Sequence, residues 1–298
     1  MGLNWLRTVS AALAAMGLAW GIPAAAETPA GAHPAMWKLA DADTTIYLFG
    51  SFHLLPKGLA WRTPAFDRAL GSSDVLVLEI ANLDDQMAIA QTLMTLGMSP
   101  GQPPLAERVP AGKRDALKAM VAESGIPEAF LDRMETWAAG LMLTGVEFKR
   151  LGLDPDSGVE RTLGAAWKTS GKPVEGLETA EQQFGFFDRL SEDSQRKFLV
   201  ALLDTPDKSK REFAEMLTAW EAGDVDGIAR SFDDETQMSA ELREALMKQR
   251  NARWSEWLKA RLDKPGTVFV AVGAGHLAGS DSVLRLLAAK GLKVTRLQ

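Results

Sequence analysis

Thr267-Val268-Phe269-Val270-Ala271-Val272 runs into Gly273-Ala274-Gly275-His276, and Thr44-Thr45-Ile46-Tyr47-Leu48-Phe49 runs into Gly50-Ser51-Phe52-His53. Two short apolar segments from opposite ends of the chain thus finish in matching glycine-framed turns, each with histidine in fourth place. Short runs rich in β-branched and aromatic residues and bounded by glycine predict strands. A strand that is apolar almost throughout has both faces buried, as in a parallel sheet lying under helices. Such a sheet gathers its chemistry just past the carboxyl ends of its strands. The same reading therefore predicts the fold and brings His53 and His276 toward one place.

Working outward, Met36–Ala40 and Thr44–Phe49 read as a hairpin joined by an Asp-Ala-Asp turn. Thr63 caps a short helix with Pro64 in its first turn, and Gly71 ends it. Val75-Leu76-Val77-Leu78-Glu79-Ile80 is another β-type run. From Leu83 to about Arg261 apolar residues recur at three- and four-residue steps, predicting helices. One interruption, Lys172 to Glu178, reads as a short strand, and Thr179 with Gln182 forms a capping box behind it. At the C-terminal end Ser280 is expected to cap a helix over Asp281–Lys290, with a last strand over Leu292–Leu297. The expected fold is α/β, a mixed central sheet built from both chain ends with a long, mainly helical insertion covering it. Residues 36–298 form this domain, and residues 83–165 have the length of a helical lobe of their own.

The N-terminal segment is different in kind. Arg7 precedes an Ala/Leu/Met-rich stretch over Thr8–Ile22, and Ala24-Ala25-Ala26 supplies small residues before Glu27. This predicts a secretory signal peptide over residues 1–26, too short in its apolar part to span a bilayer, then a small, polar lead-in over 27–35. The expected location is the periplasm of a Gram-negative bacterium or the exterior. Removing Arg7 moves the formal net charge from −6 to −7, which argues against a nucleic-acid surface. The chain has no cysteine, so disulfides, thiolate metal sites and a lipid anchor on an N-terminal cysteine are all excluded. Any bound metal takes its ligands from His, Asp, Glu, Asn or Gln.

Glu79 is the sharpest anomaly: an ionisable group in an otherwise apolar strand. Unpaired, it would cost several kcal/mol or take up a proton, so it demands a cation, a metal or a set of donors. An edge-strand glutamate facing water is the plain alternative. With His53 and His276 it makes a His2Glu set, a composition that catalytic zinc sites use while keeping a position open for water. Manganese or cobalt would suit the same donors. The third histidine, His33, falls in the lead-in and reads as a bystander. Glu178 also ends a strand; it either joins the site or sits as a favourable charge beside a helix N-terminus. Arg250, on a helix with Arg253, Trp254 and Trp257, reads either as part of a solvated, tryptophan-packed face or as an arginine delivered to an oxyanion.

Several motifs are missing. No His-Glu-x-x-His, Gly-x-Ser-x-Gly or P-loop occurs in the chain. Gly273-Ala274-Gly275-His276-Leu277-Ala278 superficially matches a dinucleotide fingerprint. The next strand, however, offers Lys293 and Arg296 instead of the acidic residue that binds ribose.

Trp37-Lys38-Leu39, Tyr47 to Pro56, Ser73 to Glu79, Gly176-Leu177-Glu178-Thr179 with Glu181-Gln182, Arg250-Asn251 and Gly273 to Gly279 together resemble the motifs of the TraB/GumN family. Ser51 stands where many members have threonine, and residues 83–150 are the weak part of the match. The resemblance implies kinship with the metal-dependent Tiki proteases and, more distantly, with erythromycin esterase and ChaN-like folds. It also implies an active site at His53, His276 and Glu79, with Arg250 as helper. Three expectations follow. The first is an exported metal-dependent hydrolase, a peptidase before all, in which His53, His276 and Glu79 bind manganese, cobalt or zinc and Glu79, Arg250 and Glu178 assist catalysis on a peptide or small ester or amide. The second is a non-catalytic periplasmic protein capturing a peptide, metal or haem. The third is a metal-free, esterase-like hydrolase with a histidine base oriented by Glu79.

Overall fold

The structure is a computed structural model and describes residues 31–203, 206–232 and 239–298. The signal-peptide reading lies outside the described residues. The described end of the lead-in is held in place: the backbone N–H of His33 donates to the Glu221 carbonyl at 2.7 Å.

Six strands make one sheet in the order β6-β4-β7-β2-β1-β8. They are β1 Met36–Ala40, β2 Thr44–Ser51, β4 Val75–Ile80, β6 Val174–Glu178, β7 Gly266–Gly273 and β8 Val294–Arg296. A two-residue pair, β3 (Leu55–Pro56) with β5 (Leu153–Asp154), stands apart. Four consecutive strands, β6, β4, β7 and β2, run parallel, and β1 pairs antiparallel with both β2 and β8. The sheet is therefore mixed and built from both chain ends, with β6 contributed by the helical middle.

Side chains alternate across a strand, so each buried strand supplies two cores. Phe49, Leu76, Leu78, Phe269 and Ala271 pack into the larger apolar cluster with the helices of the middle. Ile46, Leu48, Val77, Val268, Val270 and Val272 face the other way, against Trp254, Leu258, Val283 and Leu287. The earlier helices of the insertion thus cover one face, while its last helix, Gln249–Arg261, covers the second together with Val283–Ala289.

The local signals explain most boundaries. Thr63 Oγ1 accepts from the Phe66 N–H at the start of the helix Pro64–Gly71. Thr179 and Gln182 form both halves of the capping box that opens Ala180–Asp188. The last helix is a correction: it starts at Val283 behind Ser282, whose side chain accepts from the Arg285 N–H. The short segment Ala274–Leu277 takes the turns just before Ser280, and the capping serine falls two places later. The final strand is also shorter than expected, Val294–Arg296, the residues that stand in register with β1.

Candidate functional site

In the parallel register Ser51 lies opposite Gly273, Leu78 opposite Ala271, and Ile80 opposite Glu178. The carboxyl ends of β2, β7, β4 and β6 are therefore level, and His53, His276, Glu79 and Glu178 meet there. Arg250 reaches the same place from its helix. Of the residues singled out in the sequence, these five come together, and His33 is absent from the lining of their cavity.

Glu79 sits at the centre, 7% exposed. Its Oε2 accepts from Arg250 Nη2 at 2.5 Å and Gln183 Nε2 at 3.1 Å, and its Oε1 accepts from the Gly273 N–H at 2.8 Å. Burial pushes its pKa up, but the Arg250 guanidinium, the two imidazoles and the Gly273 N–H outweigh it, and the carboxyl stays well below the usual range. Nε2 of His53 and Nε2 of His276 each stand 3.9 Å from the same Glu79 oxygen, Oε1.

The close approach of the two turns needs glycine. A Cβ on Gly50 would sit 3.1 Å from Ala274 Cα, so the turns rest on one another. A Cβ on Gly273 would sit 3.1 Å from His53 Nε2 and 3.4 Å from Glu79 Oε1, filling the space between the functional groups.

The two imidazoles have different partners. Asn251 Nδ2 donates to the Asp281 carbonyl, which turns its Oδ1 to His276 Nδ1 at 2.6 Å. His276 therefore carries its proton on Nδ1, and its Nε2 accepts from Arg250 Nη1 at 3.1 Å. Burial and then the Arg250 charge push its pKa down to about 3, so the ring is neutral. His53 Nδ1 instead lies 2.6 Å from Glu160 Oε1. Burial lowers the His53 pKa, but Glu160, aided by Glu79, more than reverses this, and the net shift is upward. Glu160 and Gln183 had no role in the sequence reading. Both sit on helix faces next to apolar residues, where a buried polar residue is the only signal.

Arg250 is the knot of the cluster. Its Nε donates to Glu178, its Nη2 faces Glu79 and Glu178, and its Nη1 donates to the Leu246 carbonyl as well as to His276. Every guanidinium nitrogen is engaged, and the plane lies 4.6 Å over Trp254. Glu178 also meets Arg253 Nη2 at 3.1 Å. A π-helical turn over Glu244–Lys248 immediately precedes this helix.

Tetrahedral ligands about 2.1 Å from a zinc ion stand roughly 3.4 Å apart. The two 3.9 Å spacings about Glu79 Oε1 are slightly wider, and the donors agree in kind. The buried carboxylates Glu79, Glu160 and Glu178 are met by Arg250, by His53 and, at Glu178, by Arg253. Arg250 Nη1 holds the place a metal would take on His276 Nε2, and among the described residues no group of three or more His, Asp or Glu side chains is arranged to hold a metal ion. As the side chains stand the set makes no cation site, and Arg250 would have to leave His276 Nε2 to open one.

The cavity over these groups is small, about 40 Å³, room for a few waters. Phe52, Phe186, Phe213, Met216 and Phe232 give it an apolar wall.

The family model described as "TraB/PrgY/gumN family" matches residues 35–296. The chain is 26% identical over 250 residues to the uncharacterized protein YbaP of Escherichia coli K12, covering 81% of this chain and 87% of that protein. The uncharacterized protein YbaP of Shigella flexneri gives the same figures. No solved structure matches the chain.

Proposed function

The chain belongs to the TraB/PrgY/gumN family, and from that premise and the geometry of the cluster we propose that it is an exported hydrolase that cleaves an amide or ester bond, in the first place a peptide bond. The observation that carries this reading is the convergence of two imidazole Nε2 atoms on one carboxylate oxygen, 3.9 Å from each, in a cavity at the carboxyl end of the parallel strands.

His53, with its raised pKa, is the group placed to hold and move a proton, through Nε2. His276 stays neutral and offers a lone pair. Environments that drive two titratable groups apart assign acid and base roles. Glu79 holds the two rings to a common point. Arg250 has no spare donor for an oxyanion as it stands; it acts by fixing Glu79, Glu178 and His276. Glu178 in turn anchors Arg250. His53 Nε2, His276 Nε2 and Glu79 Oε1 are the atoms that would hold manganese, cobalt or zinc. Such an ion supplies Lewis acidity and a water acidic enough to be nucleophilic near neutral pH. The apolar wall excludes bulk water and suits an uncharged side chain of the substrate.

A metal-free hydrolase is the second reading, and the Arg250–His276 hydrogen bond favours it. One experiment separates the two. Purified protein is stripped with chelator, refilled separately with manganese, cobalt or zinc, and assayed on peptide and ester libraries, with elemental analysis alongside. Turnover restored by one metal and abolished in His53→Ala and His276→Ala is the expected result. Full turnover in the stripped protein would select the metal-free reading. Tight binding of a peptide without turnover in any state would overturn hydrolysis and leave a capture protein.

A further inference from the structure

Glu160 is buried at the site and has no task in the reading above. It occupies the second position of the helix Val159–Lys168 and is 3% exposed. An acidic residue in a first helical turn interacts favourably with the helix dipole, but that interaction asks for no burial. Removing a carboxylate from water costs several kcal/mol unless partners receive it, so the partners of Glu160 carry the meaning.

Those partners belong to the His53 turn. Glu160 Oε1 lies 2.6 Å from His53 Nδ1, and Ser51 Oγ donates to the same oxygen. The backbone ties the two segments as well. The Val159 N–H donates to the Phe52 carbonyl at 3.0 Å. Gly158, the residue before the helix, lies so close that a Cβ there would fall 2.0 Å from the His53 carbonyl oxygen. Its φ is −61°, an ordinary value, so closeness alone calls for glycine here. The start of this helix is thus seated on the backbone of Phe52 and His53 and aims its first acidic side chain at the ring. His276 meets the equivalent constraint from Asn251.

We propose that Glu160 is the positioning residue of His53: its Oε1, in ion-pair contact with Nδ1, turns Nε2 toward Glu79 and His276, while Ser51 steadies the Glu160 carboxylate. The inference rests on the reading of His53 as a working group of the site. Ser51 serves here as an anchor of the Glu160 carboxylate. A carboxylate behind an imidazole also strengthens the ring as a metal ligand by fixing its tautomer and raising its basicity.

The test reads the ring nitrogens directly. Full-length, chelator-stripped protein with 15N-labelled histidine is compared with Glu160→Ala, Glu160→Gln and Ser51→Ala; the His53 signals are assigned from their loss in His53→Ala. The native protein should show His53 protonated on Nδ1, with a downfield, slowly exchanging proton. Glu160→Ala should abolish that proton signal and mix the two tautomers, leaving His276 unchanged. Glu160→Gln keeps an acceptor and should keep the Nδ1 proton, moved upfield. Ser51→Ala should shift it less. His53 signals unchanged in Glu160→Ala would overturn the proposal; if that variant does not fold, unchanged signals in Glu160→Gln would do so. Zinc titration by calorimetry gives a second readout, with an expected loss of about 10- to 100-fold in affinity for Glu160→Ala and a smaller one for Glu160→Gln. A native protein that binds no zinc would count against the metal-dependent reading, while the tautomer comparison would still decide the role of Glu160.

Discussion

The turns at Gly50–His53 and Gly273–His276 share a pattern, stand at the ends of adjacent parallel strands and touch each other, yet their imidazoles are set up in opposite ways. His53 has a carboxylate behind it and a raised pKa. His276 has an amide behind it, a guanidinium in front of it and a pKa pushed down to about 3. The strand-and-turn backbone makes the two positions equivalent, and the helices packed on them make the side chains different. A motif repeated in sequence therefore says where a group will be; its protonation is written in distant residues.

The largest test of this contrast removes the knot on the His276 side. Arg250→Ala leaves Glu79 and Glu178 buried without their main cation. It should lower stability by about 3–5 kcal/mol, as breaking buried ion pairs does, measured by urea unfolding. A loss below 1 kcal/mol would show that Arg250 does not hold the cluster. On the His53 side, Gly158→Ala forces a methyl group against the His53 carbonyl and should cost about 1–3 kcal/mol, the usual range for overpacking. Gly164→Ala, in the helix that follows with nothing near its added Cβ, is the control and should not destabilise.

Acid titration separates the two rings by sign. His276 has a depressed pKa, so its contribution is complete above the unfolded value of about 6.5 and fades as pH falls toward about 3. His53 has a raised pKa, so its contribution is complete below about 6.5 and is lost as pH rises through the folded value. Between pH 6.5 and pH 5 the His276 part amounts to about 2 kcal/mol, at 1.36 kcal/mol per pH unit. His276→Asn should flatten the acid limb of the stability curve by about that much; an unchanged limb would refute a neutral, buried His276. Asn251→Asp tries to turn one site into the other. A carboxylate behind His276 should raise its pKa by about one unit or more, read by NMR titration. The smallest expected effect is remote from both rings: Thr179→Ala removes the cap that starts the Gln183 helix and should cost about 1 kcal/mol.

The strands β2 and β7 were legible because they are apolar nearly throughout and run into glycine, and the helix starts because Thr63, Pro64, Thr179 and Gln182 mark them by chemistry that acts within three residues. Glu79 stood out for the same reason: a charge in an apolar strand is visible without any tertiary knowledge. Glu160 and Gln183 were not legible. Glutamate after Gly158-Val159 looks like a favourable first-turn charge, and glutamine among Phe184, Phe186 and Phe187 looks like the wet side of an amphipathic helix. Only packing distinguishes those cases. Arg250 was visible as a candidate, but its full set of partners could not be read, since they come from β4, β6, the segment after β7 and its own preceding turn. The π-helical turn leaves no local signature, and the choice between Ser280 and Ser282 as the last cap depends on how the chain leaves His276.

The paired ladder of β2 and β7 has one more consequence. It runs unbroken for eight residue pairs, from Thr44 opposite Gly266 to Ser51 opposite Gly273, and the histidine turns spring from its end. The interval between the two rings is thus gauged by main-chain spacing, the least mutable dimension in a protein. Helices such as Pro206–Glu221 and Val225–Phe232, which wall the cavity, take no part in that gauge. Evolution can recut them to fit new ligands while the calibrated pair beneath stays in place.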